Sequence, residues 1–348
     1  VPLDPFFADR LRTHRRYLIG QAIAAWRARW SAVVPARSSA DAPPAPAGRA
    51  ALPPRERHRR AARAWDRAEL ANVGVPGPEV AIEEHTVPVA VAPDVRVRLY
   101  RPPQTHGPMP AFVSFYGGAF RIGGIDYPTT DAAARRRAAD AGVVIVAVDY
   151  ALAPEHRYPA AVEQGYAALD WVFARADALG VDAGRIGIGG TSAGGAIAAA
   201  VTLANRDRAR HPIRRQLLEV PVTDLTARHI DFRPTWAMGV PALVAARELR
   251  SVARTYLGDL AQAREPYASP LRAASHEGLP PALIMTAEYD PLRRNGDAYG
   301  AALRAAGVDA TVVRYQGVTH DVPLFAGALP AARSWHEQVV AELRLLHR

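Results

Sequence analysis

From residue 79 onward, short apolar runs alternate with longer stretches of helical periodicity, and this restricts the chain to few folds. Residues 95–100 (VRVRLY) alternate with period two, as a half-buried strand does. The runs at 111–116, 143–148, 185–189, 217–220, 282–286 and 311–315 are short and mostly apolar, as strands covered on both faces are. Helical patterns near 129–141, 160–179, 194–209, 292–306 and 331–347 separate them. The alternation predicts an α/β fold: a mostly parallel sheet with helices on both faces. In such sheets reactive groups gather beyond the carboxyl ends of the strands.

The first 75 residues differ in texture. Residues 3–30 carry Phe6, Phe7, Leu11, Leu18, Ile19, Ile23, Trp26 and Trp30 near a 3.6-residue period, with arginines between them. A basic amphipathic helix of this kind lies on a membrane in some proteins; packing on its own chain is the expectation here. Residues 31–54 are rich in Ala, Pro and Ser and read as a linker, and a second helix over 55–72 stops before Gly74 and Pro76. The predicted division is a helical segment with its linker over 1–75 and the main domain over 76–348.

Composition removes whole classes of chemistry. The chain has no cysteine, which excludes thiol nucleophiles, disulfides and cysteine-ligated metals. It has no lysine either, so all 43 basic side chains are arginine, and Schiff-base or Ser–Lys chemistry is excluded. The net charge of +9 is spread along the chain among Ala and Glu at helical spacing, and no nucleic-acid-binding signature accompanies it. No apolar run approaches the ~20 residues of a membrane span, and no leader pattern is visible. The expectation is a cytoplasmic location.

Residues 185–195 read RIGIGGTSAGG, and Gly190-Thr191-Ser192-Ala193-Gly194 matches G-x-S-x-G between a strand and an Ala-rich helix. Turning a strand into a helix within one residue strains the serine backbone and exposes its hydroxyl, and only small neighbours allow it. The helix that follows aims free N–H groups and its positive dipole end at the site. The competing reading is a glycine-rich turn that holds a phosphate.

A serine nucleophile needs a base and a carboxylate to orient it. Of eleven histidines, His320 is best placed, in a short loop after the strand at 311–315. His85 sits in an early strand, His58 and His336 in helices and His156 in a Pro-flanked loop, where surface or structural roles are expected. Asp290 follows the strand at 282–286 and precedes Pro291, so it is a candidate acid and equally a candidate helix N-cap. Glu288 and Asp224, also near strand ends, are the alternatives. The order Ser192, Asp290, His320 is that of an α/β-hydrolase triad. Residues 112–120 (FVSFYGGAF) add a strand ending in a glycine-rich loop, which can offer backbone N–H groups to a substrate oxygen.

Four runs together resemble the bacterial hormone-sensitive-lipase-like esterases. Tyr116-Gly117-Gly118-Ala119-Phe120 is similar to that family's HGGG loop plus aromatic. The run VDYALAPEHRYPAA at 148–161 resembles its block after the fourth strand. GGTSAGG at 189–195 is similar to its nucleophile elbow. TAEYDPLR at 286–293 with GVTH at 317–320 resembles its acid and base segments. The resemblance covers roughly residue 76 to the end. It implies an eight-stranded α/β-hydrolase sheet under a helical cap, built from the N-terminal helices and an insertion near 225–266. It implies Ser192 as nucleophile, Asp290 as acid and His320 as base. Oxyanion donors would come from the Gly117–Ala119 loop, chiefly Gly118 and Ala119, and from Ala193. The implied reaction is hydrolysis of small carboxylic esters without cofactor or metal, on short to medium acyl chains or small aromatic groups; a homodimer is compatible with it.

The departures concern the substrate. Tyr116 stands for the family's histidine and Ala119 for its third glycine; a positive φ at Ala119 would cost roughly 1 kcal/mol or more. Arg294 and Asn295 replace an acidic pair, and Asp321 follows His320 where glycine is usual. Phe6, Phe7, Trp26, Trp30, Trp236 and Met238, with Tyr116 and Phe120, are candidates for an apolar substrate pocket or for cap core. Amide or lactone hydrolysis, or acyl transfer, on the same triad is the first alternative, and a non-catalytic binding protein the second. A neutral His320 predicts activity rising over roughly pH 6 to 8.

Overall fold

The computed structural model describes residues 1–13, 53–103 and 107–348. Most of the predicted first helix, with Trp26 and Trp30, and nearly all of the 31–54 linker lie outside the described residues. What is described of that helix, α1, covers residues 5–13.

Eight strands form one open sheet: β1 (Ala81–Val87), β2 (Val95–Arg101), β3 (Met109–Phe115), β4 (Val144–Asp149), β5 (Val181–Thr191), β6 (Ile213–Glu219), β7 (Ala282–Ala287) and β8 (Ala310–Tyr315). Their order is β1-β2-β4-β3-β5-β6-β7-β8. The pairs β1–β2 and β2–β4 are antiparallel and all later pairs are parallel. The interior strands are apolar on both faces because helices cover both: β7 (ALIMTA) is buried throughout and β4 (VIVAVD) in all but its last residue. The rims differ. β1 (AIEEHTV) buries fully only Val87, so its sequence lacks the apolar signature of the inner strands.

The helices are α2 (Pro54–Val73), α3 (Pro128–Ala141), α4 (Ala160–Ala174), α5 (Ala193–Asp207), α6 (Arg233–Ala237), α7 (Ala242–Leu257), α8 (Arg293–Ala305) and α9 (Pro330–Arg344). α5 is buried from Ala193 through Asn205, and its small residues let its backbone lie close to the sheet. α4 ends earlier than its apolar pattern predicts, in a turn that reaches Gly180 at φ 60° before β5 begins. Between β6 and β7 the chain passes through α6 and α7; α7 anchors to the body through the buried Tyr256 and Leu257. No helix among the described residues is long and apolar enough to cross a membrane.

Candidate active site

Ser192 stands between β5 and α5 with φ 56° and ψ −114°, a backbone conformation that L residues rarely adopt. The elbow closes because its neighbours lack side chains. A Cβ on Gly190 would lie 2.5 Å from the Gly194 carbonyl, and one on Gly194 would lie 2.1 Å from the Phe115 carbonyl oxygen. Both obstacles are backbone, so neither can swing aside. Gly194→Ala is therefore expected to destabilise the protein by roughly 1–3 kcal/mol. Urea unfolding of the variant measures this, and an unchanged midpoint would contradict the packing account.

His320 lies in the loop after β8, and its Nε2 is 2.8 Å from Ser192 Oγ. Its Nδ1 is 2.7 Å from Asp290 Oδ2. The other Asp290 oxygen, Oδ1, accepts the Leu292 N–H at 2.8 Å, at the entry to α8. The N-cap of α8 is Leu292, so Asp290 is not the helix cap; its carboxylate closes a turn just before the helix and faces the imidazole. The alternatives are occupied elsewhere. Asp224 bonds His229 at 2.8 Å, and Glu288 accepts the Gly317 N–H at 2.7 Å. Burial on its own would lower the pKa of His320, but the charge and hydrogen bond of Asp290, with Asp321 adding to them, raise it to about 9.

The glycine-rich loop after β3 lies against the elbow: a Cβ on Gly117 would sit 3.1 Å from the Thr191 carbonyl oxygen and 3.5 Å from Ser192 Cβ. Ala119 and Phe120 both have positive φ, 53° and 59°, so the alanine in place of glycine does carry left-handed strain. Among the described residues, the N–H groups of Gly118, Ala119 and Ala193 have no protein acceptor. The Tyr116 hydroxyl donates to the Tyr150 carbonyl at 2.9 Å, and the Tyr150 hydroxyl donates to the Tyr116 carbonyl at 2.8 Å. The two rings stack at 4.2 Å. Tyr116 thus holds the loop by a reciprocal pair that the sequence did not reveal, since Tyr150 lies on a different strand end.

A profile of the α/β-hydrolase fold matches residues 112–324. The carboxylesterase NlhH of Mycobacterium tuberculosis is 37% identical over 291 residues, covering 81% of this chain and 89% of that protein. The esterase LipI of the same organism is 35% identical over 280 residues, covering 77% and 83%. An esterase structure from Pyrobaculum calidifontis superposes with a TM-score of 0.78 at 31% identity, covering 99% of both chains. The chain belongs to the α/β-hydrolase family, in its hormone-sensitive-lipase-like esterase branch. It is an enzyme of the carboxylesterase type.

In this esterase a cavity of about 400 Å³ opens beside Ser192 and His320. Its lining overlaps the expected substrate pocket only in part. Tyr116 is on its wall, but Phe120, Trp236 and Met238 are not. Phe120 is buried under α7, stacked on Tyr256 at 3.8 Å, and Trp236 is 70% exposed on the short helix α6. Phe6 and Phe7 pack edge-on against Phe325, with Phe7 in the core and Phe6 partly buried against it. The walls come also from α2, one of the expected cap helices, and from α3 and α9, which the sequence did not tie to the site.

Beneath the elbow lies a buried carboxylate that sequence reasoning passed over. Glu219, 1% exposed, accepts from Trp335 Nε1 at 2.7 Å, from Arg137 at 2.7 Å and from Thr191 Oγ1 at 3.2 Å. Its carbonyl accepts the Ser192 N–H at 2.8 Å. The available signal was a lone acidic residue in an otherwise apolar run, LLEV, at 217–220. A charge there requires a buried partner.

Proposed function

We propose that the esterase hydrolyses short to medium acyl esters or small aromatic esters through an acyl-enzyme on Ser192. The observation that supports this reading is the unbroken hydrogen-bond chain from Ser192 Oγ through His320 to Asp290, at 2.8 and 2.7 Å. His320 Nε2 takes the hydroxyl proton as Oγ attacks the ester carbonyl. The tetrahedral oxyanion is held by N–H groups of Gly118, Ala119 and Ala193, which have no competing protein acceptor among the described residues. The imidazolium then protonates the leaving alcohol. Water, deprotonated by the same nitrogen, releases the carboxylic acid and restores Ser192. Asp290 keeps the Nδ1–H tautomer in place throughout.

A panel of p-nitrophenyl esters of increasing acyl length tests the substrate range, and a fluorophosphonate probe tests the nucleophile. Labelling at Ser192 with turnover of the shorter esters is expected; an unlabelled Ser192 in folded protein would refute the reading.

The base works only when neutral. With the pKa of His320 raised to about 9, kcat/KM should climb with pH through that region, above the pH 6 to 8 limb an ordinary imidazole would show. Asp321→Asn removes a negative charge that favours the imidazolium, so it should move the limb to lower pH. A pH–rate profile of both proteins checks the sign; an unmoved or raised limb in the variant contradicts it.

A further inference from the structure

Helix α3 carries three consecutive arginines, and two of them are neutralised. Arg135 bonds Asp131 at 2.6 Å and Arg137 bonds Glu219 at 2.7 Å. Arg136 takes no hydrogen-bond partner among the described residues, and its Nε is buried and unsatisfied. It lies on the wall of the same cavity as Ser192 and His320. Two of the nearby carboxylates are engaged; Asp321, on the same wall beside His320, has no side-chain hydrogen bond among the described residues. Asp140 bonds His336 Nε2 at 2.7 Å, and Asp66, also on the wall, gives its two oxygens to the Thr129 N–H and hydroxyl. Burial, with Arg137 alongside, lowers the pKa of Arg136 to about 10, which leaves it cationic at neutral pH. Its Nε is buried without a partner while the side chain as a whole is half-buried, so a carboxylate reaching it from the cavity would complete its hydrogen bonding.

We infer that the cavity selects esters bearing a second, anionic end, a carboxylate on an apolar spacer that Arg136 receives while the ester lies at Ser192. One uncommitted positive charge matches one carboxylate, and a planar guanidinium matches it bidentately. Arg136 sits in the third turn of α3, and Ser192 and His320 line the same cavity, so a spacer must join the two groups. Leu70, Ile122, Ala133 and Leu324 supply apolar wall for it. Hydrolysis would add water across the ester to give a dicarboxylate and an alcohol. The inference rests on the Ser192 reading for its reaction, though not for its binding.

The test compares mono-p-nitrophenyl adipate with p-nitrophenyl hexanoate, which differ in the terminal carboxylate. Wild type should favour the adipate ester in kcat/KM, and Arg136→Gln should lower the adipate-to-hexanoate ratio about ten- to a hundredfold. A wild-type preference for hexanoate, or a ratio the substitution does not move, overturns the inference. Arg136→Met serves if the glutamine variant does not fold. Free adipate separates the two readings: it should raise the Tm of wild type and not of the variant, whether or not any ester is cleaved. Equal shifts refute the Arg136 site. Absence of fluorophosphonate labelling and of hydrolysis of both esters refutes Ser192 alone.

Discussion

Ser192→Ala is expected to lower kcat for p-nitrophenyl ester hydrolysis about 10⁶-fold while the protein stays folded. The size follows from what is removed. In the proposed mechanism the hydroxyl is the atom that attacks, and a chain without cysteine or lysine has no thiol or amine to replace it. The fold should survive because the change deletes one oxygen. The left-handed backbone at φ 56° is set by Gly190, Gly194 and the Ser192 N–H bond to Glu219, none of which involves the hydroxyl. Residual turnover of about 10³-fold over water would come from amides that still hold an oxyanion. The kinetics are to be read beside a thermal melt. Undiminished hydrolysis in the folded variant would mean that another group attacks.

Asp290→Asn is expected to lower kcat about 10⁴-fold, and here the structure allows a sharper test than simple loss. The carboxylate performs two tasks with two oxygens. Oδ1 accepts the Leu292 N–H at the entry to α8, which the amide oxygen of asparagine can still do. Oδ2 accepts from His320 Nδ1, which an amide NH₂ in that place cannot do. The imidazole then loses the partner that keeps its proton on Nδ1, and Nε2 is no longer held ready to take the serine proton. Losing the carboxylate charge should also lower the pKa of His320, so the acid limb moves down in pH as the rate falls. Stability should change little in Asp290→Asn and more in Asp290→Ala, where the bond to the Leu292 N–H goes too; a hydrogen bond of this kind is worth roughly 0.5–1.5 kcal/mol. Equal kcat for wild type and Asp290→Asn would remove Asp290 from the reaction.

The strands with continuous apolar runs were legible in the sequence because both of their faces meet helices. The edges were less so. β1 shows Glu83, Glu84 and His85 to partial solvent, and the first half of β5 (VDAG) reads as a turn. Helix α4 was overextended because the residues after Ala174 are still largely apolar, and periodicity does not reveal where a turn intervenes. The packing of the candidate pocket aromatics was not legible for a similar reason. An exposed Trp236 and a buried Phe120 look alike in a sequence, and only packing against Tyr256 and solvent separates them.

What the sequence by itself determined is what local physics determines. A glycine-flanked serine between strand and helix can adopt only a tight elbow, and strand–helix alternation brings strand ends to one rim, where Ser192, Asp290 and His320 all fall. Tertiary structure decided the rest, because those choices join distant segments. Ser192 and His320 are 128 positions apart. Which of three carboxylates meets that imidazole depends on the register of β7 against β8. Whether Tyr116 finds Tyr150, and which of three adjacent arginines is left facing the cavity without a carboxylate, depends on how α3 and α9 pack over the sheet. No spacing along the chain encodes those contacts.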